Sequence, residues 1–86
     1  MTIRYSRTFV KQIAKQPKNV QKAFYARLRI FMDDPYDPLL RNHPLTGELA
    51  GCHSINITGD IRAIYRTVDD EMYVYQMIGS HSQLYG

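Results

Sequence analysis

The chain lacks tryptophan, has a single cysteine, and nowhere strings together enough apolar residues to cross a bilayer. With Cys52 alone there is neither an internal disulfide nor a multi-thiolate zinc site, and a small half-buried side chain is the ordinary role for such a residue. The longest apolar runs, such as Ala63-Ile64-Tyr65, fall far short of the ~20 residues a membrane helix needs. The opening MTIRYSRTF has no apolar stretch of the secretion-signal kind, so a cytoplasmic protein without a membrane partner is expected. Repeats, low-complexity segments, a glycine-rich phosphate loop and a Ser/His/Asp arrangement of recognisable context are all missing. The histidines have no short ligand spacing and the acidic residues form no magnesium-type cluster, so no metal and no other cofactor is expected.

What remains reads as one globular domain spanning residues 1–86, since 44% hydrophobic and 22% charged residues are close to the globular average. The formal net charge is +3, which favours an acidic partner or nucleic acid without requiring either. Lys11 and Lys15 lie four apart, as do Lys18 and Lys22, with Tyr25 and Arg29 continuing the second row. On helices these residues form basic faces, which taken alone are ordinary solvated surfaces.

Thr2–Tyr5 alternates as a short strand, and Ser6 stands where a helix cap belongs. Phe9, Val10, Ile13 and Ala14 then make a helical stripe up to about Gln16, where Pro17 stops one helix and opens another. Val20, Phe24, Leu28 and Phe31 form the core face of the second helix. Asp33-Asp34-Pro35-Tyr36-Asp37-Pro38 ends it, because proline removes a donor and restricts the residue before it. A long connection follows to Gly51, of a length that is often functional. After Gly51 the period becomes two. Strands are expected from His53 to Thr58, from Asp60 to about Val68 and from Met72 to Ile78, joined by turns at Thr58-Gly59 and Asp69-Asp70. The fold class is therefore α+β: an N-terminal strand, a helical hairpin, a three-stranded antiparallel meander and a short C-terminal tail. One face of the meander carries Ile55, Ile57, Ile61, Ala63 and Tyr65 for the helices. The other offers Ser54, Asn56, Asp60, Arg62 and Arg66.

Three segments, HPLTG (43–47), GCHSINITGDIRAIY (51–65) and IGSHSQLY (78–85), occur in an order and spacing that resembles the RelE superfamily of bacterial toxins, and within it the YafQ-like branch. The likeness extends over essentially the whole chain. It implies a type II toxin that cuts messenger RNA in the ribosomal A site, monomeric alone and held in a hetero-oligomer by a cognate antitoxin. It carries the family's catalytic positions onto His43, Asp60 and His81, its terminal aromatic onto Tyr85, and its phosphate-contacting arginine onto Arg62. Asn56 stands where YafQ has a strand histidine, and His53 stands where a basic residue is common.

These residue types suit the chemistry. Metal-free RNA cleavage needs a base for the 2′-hydroxyl, an acid for the departing 5′-oxygen and positive charge for the phosphate. Histidine, with an ordinary pKa of ~6.5, serves either proton role. Arginine pairs its planar fork with phosphate oxygens. His43 and His81 are the acid/base candidates in undetermined order, and Asp60 orients an imidazole or is itself a base. Arg62 is the phosphate clamp, with His53, Arg66 and Tyr85 as further RNA contacts, Tyr85 by stacking on a base or hydrogen-bonding a phosphate. Each residue alone has an ordinary structural role, and only the joint pattern raises it. Two other functions fit the scaffold: a non-enzymatic, ParE-like inhibitor of DNA gyrase, which needs no histidine pair, and a degenerate member that binds antitoxin without cutting.

Overall fold

The computed structural model describes residues 1–85. β1 (Thr2–Tyr5) is followed by α1 (Arg7–Ala14) and α2 (Lys18–Asp33), then by β2 (His43–Pro44), β3 (Cys52–Asn56), β4 (Ile61–Thr67), β5 (Met72–Ser80) and α3 (His81–Tyr85). Short 3-10 turns at Pro38–Leu40 and Gly47–Leu49 flank β2. The five strands form one sheet in the order β1-β5-β4-β3-β2. β1 runs parallel to β5 at one edge, and every other pairing is antiparallel. The expected α+β class and meander are present, with one strand more than expected. β2 pairs too briefly for alternation to reveal it, and the short C-terminal tail is ordered as a helical turn.

Ser6 fastens the chain where sheet becomes helix. Its Oγ accepts the Phe9 N–H at 3.0 Å, capping α1, and donates to the Gln76 carbonyl of β5 at 2.8 Å. Further along α1, the Gln12 Oε1 accepts the Ile78 N–H at 2.9 Å. The Gln21 amide donates to the carbonyls of Ile13 and Gln16, closing the short link between helices. Both helices pack their apolar sides into the core on one face of the sheet, with α1 tied to the β5 backbone. Their buried stripes, Phe9 and Ile13 on α1 and Val20, Phe24, Leu28 and Phe31 on α2, are those that helical periodicity predicts. Phe9, Phe24 and Tyr75 meet with ring centroids 5.1 to 5.7 Å apart, and Phe31 meets Tyr65 edge-on at 4.9 Å.

The opposite face departs from expectation. Register puts Ser54 beside Ile64 on the side away from the helices, yet they are only 2% and 0% exposed. The loop through Leu49 folds over this face, sharing clefts with Cys52, Arg66 and Met77 and with Met77, Leu84 and Tyr85. The middle of this face is thus covered, while it stays open toward the β3–β4 turn and, at its other end, at Arg66.

Burial holds the core tyrosines neutral. The Tyr65 hydroxyl is pushed up to about 12, chiefly by burial and partly offset by the Asn42 amide, which donates to it. Tyr75 is pushed up further, again by burial first and then by Tyr65 and Tyr5. A folded-state pKa raised above the unfolded value of ~10 gives stability that is complete below pH ~10. That stability is lost as pH rises through the folded value, about 12 for Tyr65. Alkaline titration is therefore expected to unfold the protein in that window, with the last part of the tyrosinate absorbance rise, that of the buried tyrosines, and the far-ultraviolet circular dichroism changing together. Tyrosine ionisation complete well before the dichroism changes would contradict it.

Candidate active site

His43 is delivered by a loop pinned from the other side. The Asp37 carboxylate accepts the Leu39 N–H at 2.9 Å and starts a 3-10 turn, and Arg41, at φ 48°, turns the chain into β2. The Asn42 amide donates to the Pro35 carbonyl at 2.9 Å and to the Tyr65 hydroxyl at 2.6 Å, so Asn42 faces the helix side. His43, the next residue, faces the other way and is paired in register with Ser54. Its Nδ1 lies 2.9 Å from the Arg41 carbonyl. A carbonyl only accepts, so Nδ1 carries the hydrogen and Nε2 is the nitrogen free to take a proton.

His81 is held by a different device. Ser80 and Gln83 form a reciprocal capping box: the Ser80 Oγ accepts the Gln83 N–H at 3.2 Å, and the Gln83 Oε1 accepts the Ser80 N–H at 2.8 Å. The same Oε1 also accepts from the Gln16 amide at 3.4 Å. The His81 ring rests against Tyr85 with centroids 4.8 Å apart. α3 comes so close to β5 that a Cβ on Gly79 would lie 2.9 Å from the Gln83 Oε1 and 3.1 Å from its Cβ. The second contact is with the root of the side chain, so relief requires moving the helix. Gly79→Ala is expected to shift α3 by a few tenths of an ångström and, if the site cuts RNA as proposed below, to lower cleavage of translated messages severalfold, with little change in the thermal midpoint. An alanine variant with full activity would show that the position of α3 is unimportant.

Asn56 and Arg62 face each other across β3 and β4. Through Nη1, the Arg62 guanidinium donates to the carbonyls of Thr58, Gly59 and Ile61 at 3.2 to 3.3 Å, tying it to the turn. Asp60 is exposed in that turn. Ile61, which follows it, pairs with Ser80, which precedes His81, so Asp60 and His81 begin from neighbouring positions on the rim. His43 lies at the level of Ile64 and Met77. It is therefore displaced from Ser80 by about 14 Å across three strand spacings and about 10 Å along the strands. The backbone positions of the two histidines thus lie on either side of the Asn56–Arg62 pair.

Two expected contacts lie elsewhere. Arg66 is on the same face but four residues along β4, in a cleft with Thr8, Leu49, Cys52, Gln76 and Met77. His53 pairs in register with Tyr65 and stacks on its ring at 5.3 Å and 16°. Its Nδ1 is buried without a partner, so this imidazole supports the core margin on the helix side of the sheet, away from His43 and Arg62. Sequence reasoning assigned nothing to Gln83, although Ser80-His81-Ser82-Gln83 is a readable capping-box pattern. It also passed over Arg27 and Arg41, which join Arg62 in a cleft at the β3–β4 turn. Nothing local in the sequence brings α2 and the Arg41 loop to that turn.

Comparison with known proteins agrees with this architecture. The structure is similar to YafQ from E. coli strain BL21(DE3), with a TM-score of 0.83 at 20% identity, covering 98% of this chain and 97% of that one. It is also similar to a chain of the E. coli DinJ-YafQ complex, with a TM-score of 0.71 at 25% identity, covering 98% of this chain and 97% of that one. A third likeness is to the toxin-antitoxin complex RelBE2 from Mycobacterium tuberculosis, with a TM-score of 0.63 at 28% identity and coverage of 93% and 96%. A search of curated proteins finds no match. The family model for the bacterial toxin of the type II toxin-antitoxin system, YafQ, matches residues 1–86, and the chain accordingly belongs to the YafQ family of toxins.

Proposed function

We propose that this toxin is an endoribonuclease that cuts messenger RNA in the ribosomal A site by metal-independent acid–base catalysis, and that a cognate antitoxin silences it in the cytoplasm. The observation that supports the reading is that His43, in register with Ser54, and His81, directly after Ser80 at the end of β5, are distant in the chain but start from either side of the Asn56–Arg62 pair. In the reaction, one imidazole removes the 2′-hydroxyl proton, that oxygen bonds to the adjacent phosphorus, and the bond from phosphorus to the 5′-oxygen breaks. The other imidazole protonates the leaving 5′-oxygen, giving a 2′,3′-cyclic phosphate and a 5′-hydroxyl. The free Nε2 of His43 suits it to the base role. Asp60, beside His81 at the rim, orients or assists; Arg62 neutralises the phosphate; Tyr85 stacks on a base, and Arg66 meets the strand further along.

The antitoxin assignment draws on the DinJ-YafQ and RelBE2 complexes and on the net charge of +3, which suits a small, acidic, partly disordered partner. The toxin alone is a monomer in this reading, and the complex a hetero-oligomer. Inducing it without antitoxin while following amino-acid and thymidine incorporation tests the proposal. Protein synthesis is expected to stop first, with translated messages cut. Earlier arrest of DNA synthesis would instead identify a gyrase inhibitor, and unimpeded growth an inactive antitoxin-binding member.

A further inference from the structure

At the end of the sheet nearest the candidate site, a cleft of about 490 Å³ is lined by Arg27, Leu39, Arg41, Asn56, Thr58 and Arg62, among others. Three guanidinium groups arrive there from three separate elements: Arg27 from α2, Arg41 from the loop before β2, and Arg62 from β4. Among the described residues no carboxylate lines the cleft. Asp37, nearby in the chain, has its carboxylate engaged by the Leu39 N–H. Among the described residues the one ion pair is between the Met1 ammonium and Glu71, so none of the three arginines is neutralised by an acid.

The guanidinium groups also retain unused donors. Arg27 gives Nη1 to the Leu39 carbonyl at 3.0 Å, and Arg62 gives Nη1 to the turn carbonyls. These bonds fix the two side chains while leaving the rest of each fork available. Like charges gathered in one concavity repel unless something anionic enters, and a planar fork matches phosphate oxygens well. Extending the His43↔Ser54 register by two residues sets Arg41 beside Asn56 and hence in line with Arg62. The cleft is thus the direct continuation of the face that bears His43.

We propose that Arg27 and Arg41, in the cleft they share with Arg62, form a phosphate subsite that holds the phosphodiester of the RNA strand adjacent to the one on which Arg62 acts. This deepens the reading above and rests on it for the identity of the strand. Its role is to fix the register of the strand across the two imidazoles, so that binding in the cleft limits which linkage is presented to them.

The test is binding of a short, fully 2′-O-methylated RNA, which cannot be cut by 2′-hydroxyl attack. Arg27→Gln, Arg41→Gln and, as a control on the same helix but outside the cleft, Arg29→Gln are compared across a salt series. Arg41 is exposed, so its variant folds even if Arg27→Gln disturbs the Leu39 turn. Arg27→Gln and Arg41→Gln are each expected to weaken binding about tenfold and to lower the slope of log K against log salt by about 0.7, the value for one single-strand phosphate contact. Arg29→Gln is expected to leave both nearly unchanged. Equal losses from all three would mean diffuse charge and overturn the proposal. So would variants that keep RNA affinity but lose affinity for oligo-glutamate, which would assign the cleft to an acidic protein segment. Cleavage of translated messages is measured in parallel. Binding through the cleft without cleavage would refute the nuclease reading alone, and cleavage unaffected by either cleft variant would refute the subsite alone.

Discussion

His81→Ala is expected to reduce cleavage of translated messenger RNA by ~10²–10⁴-fold, the usual contribution of a general acid or base, and to relieve growth inhibition. His81 is exposed, and among the described residues its ring rests against Tyr85. Its loss removes no core packing, and the capping box of Ser80 and Gln83 remains to form the turn. Circular dichroism and the thermal midpoint are therefore expected to match those of the parent, and antitoxin binding to persist. The separation of fold from activity is what gives this substitution its force. A variant that still arrests growth at parental expression would remove His81 from the reaction and leave His43 without its partner.

Phe24→Ala is expected to lower stability by about 3–5 kcal/mol, the range for a buried phenylalanine, and to move the midpoint of thermal unfolding down by tens of degrees. Phe24 is fully buried and touches three aromatic neighbours besides its own helix: Phe9 at 5.1 Å, Tyr75 at 5.3 Å and Tyr5 at 6.4 Å. In a domain of this size that loss is a large share of the total stability. The same cluster predicts an opposite sign one ring away. The Tyr75 hydroxyl is buried without a hydrogen-bond partner, so Tyr75→Phe removes a desolvated polar group and is expected to stabilise by about 1 kcal/mol. Urea denaturation of the two variants measures both effects. Destabilisation by Tyr75→Phe would mean that the hydroxyl has a partner.

Elements built on periodicity were readable in advance. The stripe Val20, Phe24, Leu28, Phe31 and the alternation Ile55, Ile57 define which face meets the core because side-chain direction follows directly from helix and strand geometry. The Ser6 cap was likewise visible as a polar residue before an apolar stripe. Features made by distant parts of the chain were not. The two residues of β2 carry no alternation, and the burial of Ser54 and Ile64 depends on a loop folding back over the sheet. His53 lay in a strand with a readable period, but its ring found Tyr65 rather than solvent, and this depends on the core margin and not on the local pattern. The site divides in the same way. The histidines, Asp60 and Arg62 could be picked out as chemical types in a recognisable series. Arg27 and Arg41 could not, because α2 and the loop before β2 reach the β3–β4 turn only in three dimensions.

The central claim is that His43 and His81 flank one phosphodiester and move its protons without a metal. Mapping the ends of the cut message, made by the purified toxin on translating ribosomes with and without a strong chelator of transition metals that leaves ribosomal magnesium in place, tests this most directly. The account predicts a 2′,3′-cyclic or derived 3′-phosphate on one fragment and a 5′-hydroxyl on the other, with the chelator making no difference. A 5′-phosphate paired with a 3′-hydroxyl, or cleavage that stops on chelation, would contradict it.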